Sequence, residues 1–140
     1  MATVLQNPKF ELRNPKQDRN QNTPKTKPFD LEERTFLFAR DTRSFAKLLP
    51  RTITNIEDVK QLARSSGSVG ANYIEANEAL TKKDFHHRLR IAKKEAKETI
   101  YWLRLVDTGS DVQLEAQRAR LIAEAREIMN ILGAILRKSQ

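Results

Sequence analysis

Residues 81–107, TKKDFHHRLRIAKKEAKETIYWLRLVD, constrain the fold more than any other stretch, because three kinds of surface recur along them at helical spacing. Phe85, Leu89, Ala92, Ala96, Thr99, Leu103 and Val106 alternate steps of four and three, which on a helix builds one apolar stripe that must face a core. Two positions on, about 200° around the axis, the same spacing picks out Lys83, His87, Arg90, Lys94, Lys97, Tyr101 and Arg104, a face that no acid interrupts. A third row, Asp84, Arg88, Ile91, Glu95, Glu98, Trp102 and Leu105, mixes carboxylates with large apolar groups beside the stripe. It suits a second protein contact, and Ile91, Trp102 and Leu105 are its expected subunit-interface residues.

Three further helices are expected. Asp30 can cap a helix over 31–49, with Glu33 placed for a capping box and Pro50 as the stop. Leu31, Phe38, Phe45 and Leu49 share its face, with Thr35 and Thr42 between them, while Phe36 and Leu37 lie off that line. After the connection RTITN, a helix is expected from Ile56 to about Leu80. Its core row is Val59, Leu62, Ser66, Val69, Tyr73, Ala76 and Leu80, and a polar row, Gln61, Ser65, Ser68, Asn72 and Glu75, lies beside it. Gly67 and Gly70 each cost a helix about 1 kcal/mol relative to Ala, so close approach of another helix backbone is expected there. Thr81 and Asp84 start the third helix, and Gly109 and Ser110 turn the chain. The last helix is expected over Val112 to Arg137, with Leu114, Leu121, Ala125, Ile128, Leu132 and Ile135 on one face and Ile122, Met129 and Leu136 beside it. The pattern predicts an all-α, antiparallel up-down-up-down four-helix bundle over 29–140. Its broad apolar belts suggest self-association.

Charge narrows the class of partner. The 140 residues carry a formal net charge of +8, which favours polyanions or an acidic protein. Residues 1–28 hold +4 of this together with four of the five prolines, and they read as a disordered basic arm. The remaining excess matches that of 81–107 alone, with eight Lys/Arg against four Asp/Glu. No run is long and apolar enough for a membrane span or secretory leader, and a cytoplasmic location is the expectation. Without cysteine, disulfides, thiolate metal sites and thiol nucleophiles are excluded.

Other chemistry finds little support. Glu75-x-x-Glu78 and Glu95-x-x-Glu98 suggest a carboxylate di-iron site, yet neither supplies the Glu-x-x-His pairs such a bundle site needs. His86 and His87 diverge by about 100° on a helix and do not readily share an ion. Ser65, Ser66 and Ser68 lack a strand-turn-helix elbow, and no phosphate-binding glycine loop occurs. The expectation is no enzyme, no metal and no cofactor.

Two segments carry a resemblance. In Gln61–Ala79, the pattern R-S-x-x-S-V-x-A-N-Y-x-E-A is met by Arg64, Ser65, Ser68, Val69, Ala71, Asn72, Tyr73, Glu75 and Ala76. In Lys82–Val106, K-E-A-x-E-T-x-Y-W-L is met by Lys94, Glu95, Ala96, Glu98, Thr99, Tyr101, Trp102 and Leu103. Together they resemble the small four-helix-bundle protein family. Its relatives include the protein encoded by intervening sequences in bacterial 23S ribosomal RNA genes and the accessory variability determinant of diversity-generating retroelements. The resemblance covers about residues 29–138. It implies a ring-shaped homopentamer whose basic surfaces can meet RNA, DNA or a reverse transcriptase. The second helix's Asn72-Tyr73-Ile74-Glu75-Ala76 departs from the Asn-Ile-x-Glu-Gly of many members. Arg64, Ser65, Ser68, Asn72, Glu75, Glu95 and Glu98 serve equally well as a polar lattice between the second and third helices.

The leading expectation is therefore a non-enzymatic, oligomeric protein that binds nucleic-acid backbone with low sequence specificity. Lys83, His87, Arg90, Lys94, Lys97, Tyr101 and Arg104 are the contacting residues. A protein-interaction scaffold for a nucleic-acid enzyme, such as a reverse transcriptase, is the alternative. A solvated charged face without a ligand is the third reading.

Overall fold

A computed structural model describes residues 30–140; the expected arm, 1–28, lies outside the described residues. Four helices follow one another: α1 (Leu31–Leu48), α2 (Ile53–Asn77), α3 (Lys82–Leu105) and α4 (Val112–Lys138). Each begins at a side-chain cap that satisfies one otherwise unpaired backbone donor. The Asp30 carboxylate accepts from the Glu33 N–H at 3.3 Å and the Asp111 carboxylate from the Leu114 N–H at 3.0 Å. The Thr52 and Thr81 hydroxyls accept from Asn55 at 3.1 Å and Asp84 at 3.0 Å.

α2 departs from expectation at both ends. It starts three residues earlier than Ile56 because Thr52 is its cap. It ends at Asn77, where the Glu78 N–H turns back onto the carbonyls of the final turn. Leu80, expected in the core row, follows that stop and is 87% exposed.

The predicted stripes otherwise meet in one core. Phe38, Phe45, Leu62, Val69, Tyr73, Phe85, Leu89, Leu103, Leu121, Ile128 and Leu132 are all buried, and each large aliphatic or aromatic group so buried contributes about 1.5–3 kcal/mol. α2 against α3 is the broadest seam, and α1 against α4 is narrower than any seam between helices consecutive in the chain. Early α1 meets late α2, as in the Asn77 amide donating to Glu32 at 3.3 Å, and mid-α1 meets mid-α2, where Arg43 donates to the Ala63 carbonyl at 3.1 Å. Arg34 of α1 donates to Glu124 of α4 at 2.7 and 2.9 Å. The expected close approach at Gly70 is present. A methyl group there would sit 2.7 Å from Thr35 Oγ1 and 3.1 Å from Thr35 Cβ of α1.

One buried amide ties the two loops at the same end of the molecule. Asn55 donates to the Pro50 and Asp107 carbonyls, both at 2.8 Å, and accepts from the Asp107 N–H at 2.9 Å. The C-terminus of α3 is held by Arg118, whose guanidinium donates to the carbonyls of Leu103 at 3.3 Å and Val106 at 2.7 Å. Glu115 then receives both Arg118 and the Thr108 hydroxyl. Arg118 first, and Thr108 after it, hold the Glu115 carboxyl below its usual range.

Candidate nucleic-acid interface

α3 carries the predicted basic row because Phe85, Leu89, Ala92, Ala96 and Leu103 are buried on its other side. Lys83, His87, Arg90, Lys94, Lys97, Tyr101 and Arg104 are all exposed. Among the described residues none of these cations is ion-paired with a carboxylate. Lys94 is near enough to Glu98 to favour its ionised form, though it ranks behind other influences on that group. Tyr101 stacks edge-on against Trp102, with ring centroids 5.0 Å apart, and leaves a half-exposed phenol within the cationic row. The arrangement is a one-sided ridge of positive charge about six turns long.

The polar motif residues lie a quarter-turn away, toward α2, and bond mainly to each other. Arg64 bridges Glu95 at 3.3 Å and also Glu98. Glu98 further accepts the Trp102 indole N–H at 3.2 Å. That indole donation first, then Arg64, holds the Glu98 carboxyl below its usual range; reciprocally, Glu98 and then Glu95 raise the Arg64 guanidinium. Deeper in the seam, the fully buried Ser65 and Thr99 share a 2.9 Å hydrogen bond. Toward the far end, Arg88 donates to the Asn72 carbonyl oxygen at 3.1 Å while the Asn72 amide donates to its own helix at Ser68. These groups are thus joined into a lattice between α2 and α3. Ser68 bonds instead to the Arg64 carbonyl of its own helix at 2.9 Å, and Glu75 is exposed with no bond across the seam among the described residues.

Of the expected interface residues, Trp102 is half-buried and packs against this chain's own core, Ile91 is half-buried, and Leu105 is 50% exposed. Sequence reasoning missed three polar participants. Arg88 and Thr99 bond across the α2–α3 seam, and Lys93 leans toward α4 instead of joining the outer row. Helical spacing places a residue on a face but does not say which neighbouring helix it meets. Among the described residues no group of three or more His, Asp or Glu converges as a metal site. No helix there is long and apolar enough to cross a membrane.

The profile of the 23S rRNA-intervening sequence protein family matches residues 28–134. A crystal structure of a protein of unknown function from the S23 ribosomal protein family of Bacteroides thetaiotaomicron is 31% identical. It superposes with a TM-score of 0.66 over 76% of this chain and 97% of that one. No curated protein matches.

Proposed function

Since this chain belongs to the 23S rRNA-intervening sequence protein family, we propose that it binds RNA or DNA through the phosphate backbone, using the exposed cationic row of α3. The observation that carries this reading is the row itself: Lys83, Arg90, Lys94, Lys97 and Arg104 are exposed and, among the described residues, have no carboxylate ion-pair partner. An inert mixed-charge helix interleaves acids with its bases; α3 keeps its acids Glu95 and Glu98 on another side, occupied with Arg64. Backbone contact through flexible lysines carries little sequence information, so specificity is low. Self-association would repeat the row and raise avidity without new contacts.

The test is RNA binding by the double variant Lys97→Glu, Arg104→Glu. It stays folded, because neither side chain supports the core, and it binds at least tenfold more weakly at low salt. Unchanged affinity would remove the row from the account.

A protein-docking role for the same molecule has a separate observation in its favour. Phe36 and Ile74 are 59% and 45% exposed beside the shallow α1–α2 seam, where Gly67, Gly70 and Ala71 leave little side-chain cover. Apolar groups so placed suit a partner surface, either another copy or a nucleic-acid enzyme. Native mass spectrometry distinguishes the first from a monomer.

A further inference from the structure

Lys93 and Arg137 lie outside the outer row, yet their charged ends converge on one point. Gly133 of α4 is buried, and a methyl group placed on it would meet Arg137 Nη1 at 3.4 Å and Lys93 Nζ at 3.6 Å. The two cations are therefore within about 7 Å of each other, close enough to repel. Neither is ion-paired with a carboxylate among the described residues. Arg137 alone is explained by the negative C-terminal end of α4, where basic residues are favoured. Lys93 is not, since it sits mid-way along α3.

We propose that Lys93 and Arg137 form a seat for one phosphodiester group over Gly133, at the α3–α4 seam. The seat takes a phosphate because a shared anion turns the mutual repulsion of two cations into two charge-assisted hydrogen bonds. Gly133 marks where the two charged ends meet, since both come to within ordinary contact distance of the place its side chain would occupy. Lys93 shares its helix with the outer row, so a strand held at the seat can continue along Arg90, Lys94 and Lys97. The inference rests on the backbone-binding reading and adds to it a fixed anchoring point.

The experiment uses the full chain, a single-stranded RNA oligonucleotide followed by fluorescence anisotropy over a salt series, and inorganic phosphate followed by NMR at the Gly133 amide. Lys93→Gln, Arg137→Gln should flatten the slope of log affinity against log salt by about 1.4, two lost single-strand contacts. The same variant should lose a saturable phosphate-dependent shift at Gly133. An equally charged control on other faces, Arg40→Gln, Lys60→Gln, should change neither. If the seam variant keeps the wild-type slope while Lys97→Glu, Arg104→Glu binds weakly, the seat is overturned and the outer row stands. If wild type binds no RNA even at low salt, the functional reading fails. The seat is then kept by a phosphate shift that the seam variant abolishes, and overturned by its absence.

Discussion

Replacing Gly70 with alanine should destabilise the protein, although alanine is the better helix former by about 1 kcal/mol. The added carbon would lie 2.7 Å from Thr35 Oγ1, and the backbone carbon of Thr35 is itself only 3.7 Å away. Thr35 has little room to yield. It is 1% exposed, and its hydroxyl is held by the Leu31 carbonyl at 2.6 Å. Overpacking of this kind costs about 1–3 kcal/mol, and rotating the hydroxyl away would forfeit about 1 kcal/mol more. After subtracting the propensity gain, the expected net loss is about 1–3 kcal/mol. Urea unfolding at fixed protein concentration would show a lower midpoint with an unchanged slope. In a Thr35→Ala background the same substitution should cost less, because the 2.7 Å contact with the hydroxyl is gone while the 3.1 Å contact with Cβ remains. Gly67→Ala is a milder control, since its nearest neighbour is the mobile end of Arg43 at 3.1 Å. A Gly70→Ala protein more stable than wild type, or an equal loss in both backgrounds, would refute the close-approach argument.

Asn55→Ala should cost about 1–3 kcal/mol in the same assay, because one substitution removes three hydrogen bonds made by a buried amide to the backbone of both loops. Trp102→Phe should diminish acid sensitivity. Glu98 is held below the ordinary value of 4.5 chiefly by the Trp102 indole, so its stabilisation is present above that value and fades as pH falls through the lower folded one; urea midpoints measured from pH 6 to 3 would show a shallower decline in the variant. Glu32 has the opposite sign. Desolvation first, then Asp30 and Glu78, raise its pKa, so its ionised form opposes folding at neutral pH, and Glu32→Gln should raise the thermal midpoint at pH 7 slightly but not at pH 3.

Much of this architecture is legible from spacing because burial acts on the local helical repeat. Phe85 through Val106 reads as a core stripe and is one, and Asp30 and Thr81 cap where short polar residues precede apolar periods. The α2 boundaries were less accessible. Thr52-Ile53-Thr54 has no periodic apolar signal, Ile53 being 85% exposed, and the carbonyl bonds at Glu78 that end α2 leave Leu80 outside a pattern whose spacing it continues. Asn55 gave no sign of joining two loops, since its partners lie 52 residues away along the chain at Asp107. The cationic row was readable because all its members share one helix. The meeting of Lys93 with Arg137 was not, because it depends on how α3 crosses α4.

The central claim is that exposed cations on α3 engage phosphate. Its most direct measurement is the salt dependence of single-stranded RNA affinity for the intact wild-type chain. Engagement of even three of the five row cations predicts a slope near or steeper than about −2 in log affinity against log salt. A flat dependence, or affinity absent at the lowest salt, would contradict the account.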